Sequence, residues 1–242
     1  MGHACSRKND SAPINELFQL TLDKNELAFI YLGYAGIILK VNDRVLAFDV
    51  GKECLRQDEI EALETLDVQL YSHTHWDHWD PTVTMNIVEV TGATIVADPS
   101  VVDEMRDTVT SDILKSATPS RSLTFNNMEI SAIRGIHSSP ITLFQVICDD
   151  VRIFHGADSG YVPLTKYSVD VAFIPTGNPS PSCSPENALK MALDVQPNVA
   201  VAMHGNSHQV RKFRELIHQE MPGAKVIIPK PCELVRVQVS DT

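Results

Sequence analysis

Long apolar runs are missing from this chain. None approaches the ~20 residues that a bilayer-spanning helix needs, and no signal-peptide core precedes the first strand-like segment, so a soluble chain with no membrane partner is expected. Positive charge is also short. Lys and Arg number 20 against 31 Asp and Glu, for a formal net charge of −11. Such a field repels nucleic acid and anionic lipid, which excludes both as expected partners and favours a small-molecule substrate. Cysteine is sparse and scattered, at positions 5, 54, 148, 183 and 232, with no Cys-x-x-Cys pair. This reads as reduced thiols of a cytoplasmic protein, not as a disulfide framework. Internal repeats and low-complexity segments are absent too. What remains is an ordinary globular composition, 43% apolar and 21% charged over 242 residues, enough to bury one sizeable core.

Residues 1–27 are polar and weakly patterned, and read as an N-terminal extension, poorly structured or carrying a short helix opened by Ser11-Ala12-Pro13. Met1-Gly2-His3-Ala4-Cys5-Ser6 formally fits a myristoylation pattern, though an ordinary terminal tail is expected there. A folded domain is expected over 28–242. Strands are predicted over 28–32, 36–41 and 44–49, with Asn42-Asp43 as a hairpin turn. Helical spacing of Leu55, Ile60, Leu63 and Leu66 predicts a helix over 52–66. A strand at 68–71, a helix opened by Asp80-Pro81 and ending near Gly92, a strand at 94–97 and a helix at 100–108 follow, then a loop from 110 to 121. Further strands are predicted at 123–125, 129–134, 141–148, 151–155, 169–174 and 198–203, and helices at 186–195 and 209–219. The segments 225–228 and 234–239 are expected to close the second sheet. Runs of strands with helices in both halves imply two sheets packed face to face, each covered outside by helices.

Chemistry concentrates in Tyr71-Ser72-His73-Thr74-His75-Trp76-Asp77-His78. Imidazole and carboxylate at this density suit a borderline divalent ion such as zinc, manganese or iron. In an extended segment His73 and His75 point the same way, because side chains alternate with period two. A turn after them lets Asp77 and His78 serve a second ion.

The pattern His-x-His-x-Asp-His resembles the signature of the metallo-β-lactamase superfamily. Further matches to its motifs follow in order: His137 after Ile133-Arg134-Gly135-Ile136, Asp158 in His155-Gly156-Ala157-Asp158-Ser159-Gly160, and His204 after Val199–Met203, while Asp49 matches the acid of the first motif. Tyr31-Leu32-Gly33-Tyr34-Ala35-Gly36 and Ala157–Gly160 look most like the branch containing ascorbate-6-phosphate lactonase, although that branch usually carries His where this chain has Tyr34. The resemblance covers about residues 28–239. It implies an α/β fold, the four-layer αβ/βα sandwich, with metals at the sheet edge. It further implies His73, His75 and His137 on one metal, Asp77, His78 and His204 on a second, and Asp158 bridging both.

Two divalent ions ~3.5–4 Å apart need bridging anions between them and lower the pKa of bridging water. The function implied is therefore a dinuclear metal-dependent hydrolase. A metal-bridging hydroxide would act on a small ester, lactone or phosphoester, with Asp77 orienting it and accepting its proton. Zinc is the expected metal, with manganese or iron as alternatives. Asp49 is expected to hydrogen-bond a ligand imidazole or the loop backbone. His208, Tyr161 and Asn178 are candidate substrate contacts. Trp76 and Trp79 are candidates for the mouth of the cleft. Two other readings are an iron-dependent oxidoreductase of the same fold, like the thiol dioxygenases, and a metal-binding scaffold without activity. A homo-oligomer is allowed.

Overall fold

Apolar runs of four to seven residues separated by turns form two seven-stranded mixed sheets in the computed structural model, which describes residues 11–239. The first sheet takes β1 (Glu26–Gly33), β2 (Gly36–Val41), β3 (Arg44–Phe48), β4 (Val68–Tyr71), β5 (Thr94–Ala97) and β6 (Leu114–Ser116). The second takes β7 (Ser122–Phe125), β8 (Met128–Arg134), β9 (Thr142–Cys148), β10 (Val151–His155), β11 (Val171–Pro175), β12 (Val199–Met203) and β13 (Lys225–Ile227). The last strand, β14 (Leu234–Gln238), pairs antiparallel with β1, so the first sheet runs β14-β1-β2-β3-β4-β5-β6. By internal contacts the chain divides into two compact units, one running to Ala117 and taking back Lys230–Gln238, the other Thr118–Pro229. The terminal Met1–Ser6 pattern, with Cys5, lies outside the described residues.

Each unit has its own core. In the first, α1 (Ala12–Gln19), α2 (Gln57–Glu61), α3 (Pro81–Thr91) and α4 (Pro99–Met105) bring Leu17, Ile60, Ile87 and Val101 against Ile30, Ala47 and Ile95 of the strands. In the second, α5 (Pro185–Val195) and α6 (Ser207–Glu220) set Met191, Val195 and Phe213 against Phe154, Ile174 and Ala200. Fully burying one such aliphatic or aromatic side chain contributes ~1.5–3 kcal/mol. Helix ends are set locally. Asp80 accepts from the Val83 amide, Pro81 follows it, and α3 stops at Gly92, whose φ of 72° a side chain would strain.

Three expectations fail here. The segment 52–66 is helical only over Gln57–Glu61, because residues 51–54 are spent on a turn that holds the histidine loop: the Lys52 amide donates to the Trp76 carbonyl, and a Cβ on Gly51 would lie 2.5 Å from the Asp77 carbonyl carbon. The loop expected over 110–121 contains β6, a short polar edge strand invisible to apolar periodicity. Finally, β14 closes the first sheet, not the second. Its Arg236 guanidinium donates to both Glu26 oxygens at 2.8 and 2.7 Å, an ionic pairing across strands about 210 residues apart in sequence.

The reading of all five cysteines as reduced also needs correction. Cys54, Cys148 and Cys183 are unbridged, but Cys232 is disulfide-bonded. No helix among the described residues is long and apolar enough to cross a membrane.

Candidate metal centre

Parallel register decides where the chemistry emerges. Phe48 of β3 lies opposite Leu70 of β4, so Asp49 and Ser72, just past the carboxyl ends of these strands, come out side by side. In α/β sheets this is the edge where ligands bind. Asp49 adopts a left-handed φ of 46°, rare for a non-glycine residue and of the kind that clusters at functional sites. Its carboxylate is fully buried. One oxygen accepts from the Ser72 amide at 2.8 Å. The other accepts from the Ser72 hydroxyl at 2.7 Å and meets His78 Nδ1 at 2.8 Å.

That arrangement fixes two imidazoles. A carboxylate has no proton to give, so His78 must carry its proton on Nδ1. Its Nε2 then faces Asp77 at 3.7 Å. The Ser72 hydroxyl, having given its one proton to Asp49, can only accept from His73 Nδ1, 2.9 Å away. His73 therefore also keeps its basic lone pair on Nε2. Its ring centroid lies 4.5 Å from that of His75 and 4.2 Å from that of His78. Ligand atoms of His73 and His75 fall within 4.8 Å of each other, as do those of Asp77 and His78. Asp49 thus bonds both a histidine and the loop backbone.

The second unit repeats the device. His137 follows β8, and its Nδ1 meets the Ser182 hydroxyl at 3.2 Å while Nε2 faces Asp158 at 3.5 Å. Asp158 follows β10 after Ala157, itself left-handed at φ 50°. Its backbone carbonyl accepts from the Ser180 hydroxyl at 2.8 Å and the Cys183 thiol at 2.9 Å. Ser159 ties the two segments, its hydroxyl accepting from the Ile136 amide at 2.8 Å. Burial pushes the Cys183 thiol up to about 12, partly offset by the Ser180 hydrogen bond. His204 directly follows β12, buried, with φ of 42°, and its carbonyl accepts a short hydrogen bond from Thr176. The parallel pairing of Pro175 with Met203 sets these two strand ends level.

The donor set suits a borderline divalent cation. It consists of imidazole nitrogen and carboxylate oxygen, with His73, His78, Asp158 and His204 buried and His75, Asp77 and His137 half-buried, and three imidazoles are held at Nδ1, which in His73 and His78 leaves the lone pair on Nε2. That anchoring is the usual environment of a metal-bound histidine.

The other expected residues are placed differently. His208 is exposed in the first turn of α6. The Tyr161 hydroxyl donates to Asp194 at 3.0 Å, which fastens it to α5. Asn178 is exposed, and its amide donates to Gln209. Trp79 is buried in the first core, whereas Trp76 stands 53% exposed. Sequence reasoning missed Ser72, Ser180, Ser182 and Cys183. No signal marks them beyond their being small donors near ligand motifs.

A mixed α/β fold with histidines and aspartates at strand carboxyl ends can be set beside known proteins. The sequence model of the beta-lactamase superfamily domain matches residues 28–204, and the chain belongs to that superfamily, whose α/β sandwich it shares. Igni18, a metallo hydrolase from Ignicoccus hospitalis, superposes with a TM-score of 0.75 at 20% identity over 89% of this chain and 100% of its own. The metallo-β-lactamase fold protein YhfI from Bacillus subtilis gives 0.68 at 15% identity, covering 88% of this chain and 100% of its own. CmlA, a diiron β-hydroxylase from Streptomyces venezuelae, gives 0.68 at 13% identity over 90% of this chain and 55% of its own. No curated protein sequence matches.

Proposed function

We propose that the chain is a metal-dependent hydrolase with a dinuclear centre, in which His73, His75 and His137 hold one divalent ion, Asp77, His78 and His204 hold the other, and Asp158 bridges them. The observation that carries the reading is the anchoring of His73, His78 and His137 at Nδ1, by Ser72, Asp49 and Ser182. An imidazole held this way needs no reorganisation to coordinate. Superfamily membership supports drawing ligands from both units.

Bound divalent ions, zinc first among them, supply Lewis acidity that acidifies water and polarises a carbonyl or phosphoryl oxygen. The chain's own residues do the rest. Asp77 accepts a hydrogen bond from the attacking water, orients it and takes its proton. Asp49 and Ser72 hold the imidazoles in the coordinating tautomer. The buried walls of the strand ends exclude bulk water, which strengthens each of these interactions.

The substrate proposed is a small ester, lactone or phosphoester, and the lactonase-like branch is the nearest guide. A cytoplasmic setting without nucleic-acid or membrane partners belongs to the same reading. The net charge supports it and the Cys232 disulfide weighs against it. A panel of lactones, phosphodiesters and phosphomonoesters, run before and after chelation and metal restoration, tests the activity. Turnover that survives verified metal removal would overturn it. The diiron hydroxylase among the structural neighbours favours one second reading, an iron-dependent oxygenase. Iron in the purified protein and oxygen uptake with substrate would select it.

A further inference from the structure

Among the described residues four large apolar side chains are exposed: Trp76, Val90, Ile136 and Leu193. Val90 and Leu193 lie on α3 and α5, where single exposed apolar residues are ordinary. The other two each stand one position ahead of a proposed ligand, Trp76 before Asp77 and Ile136 before His137. Trp76 is also held in place. Its carbonyl accepts from the Lys52 amide at 3.1 Å, and its ring meets Tyr34 edge-on, centroids 5.6 Å apart at 80°. Tyr34 is half-buried and sits at a left-handed φ of 50°. A bulky residue in that region is strained and persists where surrounding structure enforces it.

We infer that Tyr34 and Trp76 form a docking platform for the non-reacting end of the substrate, and that this end is a flat aromatic or apolar group. The inference rests on the hydrolase reading and narrows its substrate class to apolar or aryl-bearing esters and lactones, away from compact phosphomonoesters. Two features support it. An edge-on pair leaves one indole face to stack on a ligand ring. The position one residue from Asp77 puts whatever stacks there within reach of the chemistry.

The chain holds only two tryptophans, and Trp79 is buried, so the part of a ligand-induced fluorescence change that disappears in Trp76→Ala reports on Trp76. Phenylacetamide, a neutral ligand that is not an ester, should give a saturable fluorescence change where acetamide gives none. Calorimetry should find phenylacetamide binding weakened on the order of tenfold in Trp76→Ala and largely restored in Trp76→Phe. Trp76 is exposed, so its truncation opens no cavity, and metal content should stay at the wild-type level. In parallel, the preference for methyl phenylacetate over methyl acetate in kcat/KM should shrink in Trp76→Ala. No saturable change, or equal phenylacetamide affinity in wild type and Trp76→Ala, overturns the platform. Turnover with an undiminished aryl preference in Trp76→Ala overturns the platform and leaves the hydrolase reading standing. Trp76-dependent binding without turnover of any ester or lactone keeps the platform and removes the hydrolase.

Discussion

Replacing Asp49 by Asn changes almost no volume but reverses one end of a hydrogen-bond chain. The wild-type carboxylate accepts from the Ser72 amide, the Ser72 hydroxyl and His78 Nδ1, at 2.8, 2.7 and 2.8 Å. The Asn oxygen can still serve the Ser72 amide. Its NH2 group then faces both the Ser72 hydroxyl and His78 Nδ1, and each must become an acceptor. Ser72 turns its proton to His73, and both imidazoles are driven to carry hydrogen on Nε2, the atom assigned to metal. The cost to the metal-free fold is the loss of bonds to a buried charge, partly re-formed in the opposite sense, or about 2–3 kcal/mol. For a chain of this size that is a fall in Tm of roughly 4–12 °C. The larger effect is on metal. Zinc affinity should fall ~10–100-fold, the usual consequence of losing a partner behind a ligand imidazole. A competition titration against a chromophoric chelator reads the affinity, and nitrogen NMR of the imidazoles reads the tautomers. Wild-type zinc affinity in a folded Asp49→Asn protein, with His73 and His78 still protonated on Nδ1, would refute the reasoning.

Two further outcomes follow from the same geometry. Asp158→Ala should lose the second ion first and move the acidic limb of the pH–rate profile upward, as expected when one of two Lewis acids leaves; His208→Ala, exposed on α6, should keep both ions, and metal analysis with pH–rate profiles separates the two. Glu26 is held below the ordinary carboxylate range by hydrogen bonds from Arg236, so its folded pKa is depressed. The stability it contributes is then present above that range and lost as pH falls through the folded value. Because the Arg236 side chain is 48% exposed, Glu26→Gln should cost only about 1 kcal/mol near neutrality, and urea melts at neutral and strongly acidic pH should show the difference vanish in acid.

The elements most legible in the sequence were those with a local cause. Asn42-Asp43 between two strands and Asp80-Pro81 with Gly92 eleven positions after the proline act within a few residues. The histidine-rich stretch was legible because its donors are adjacent, and the later matches because each directly follows an apolar strand. What did not show depends on distant partners. The destination of β14 is set by Arg236 meeting Glu26, and the short extent of α2 by Gly51 closing on Asp77. Apolar periodicity carries neither. Ser72 and Ser182 were invisible because serine is common everywhere, and its meaning here lies in which ring nitrogen it faces. The Tyr161 hydroxyl bond to Asp194 and the Asn178 backbone bond to Gln209 also span more than thirty residues of sequence, and no local pattern announces them.

The proposed two-ion centre draws on seven residues. Its test is elemental analysis of the purified chain, stripped with chelator and refilled with zinc, with the thermal melt followed alongside. Saturation at two ions per chain is expected, with a melting temperature that falls on stripping and returns on refilling, since binding to the native state alone stabilises it. A fully loaded preparation that never exceeds one ion per chain, or a melt indifferent to verified metal removal, would contradict it.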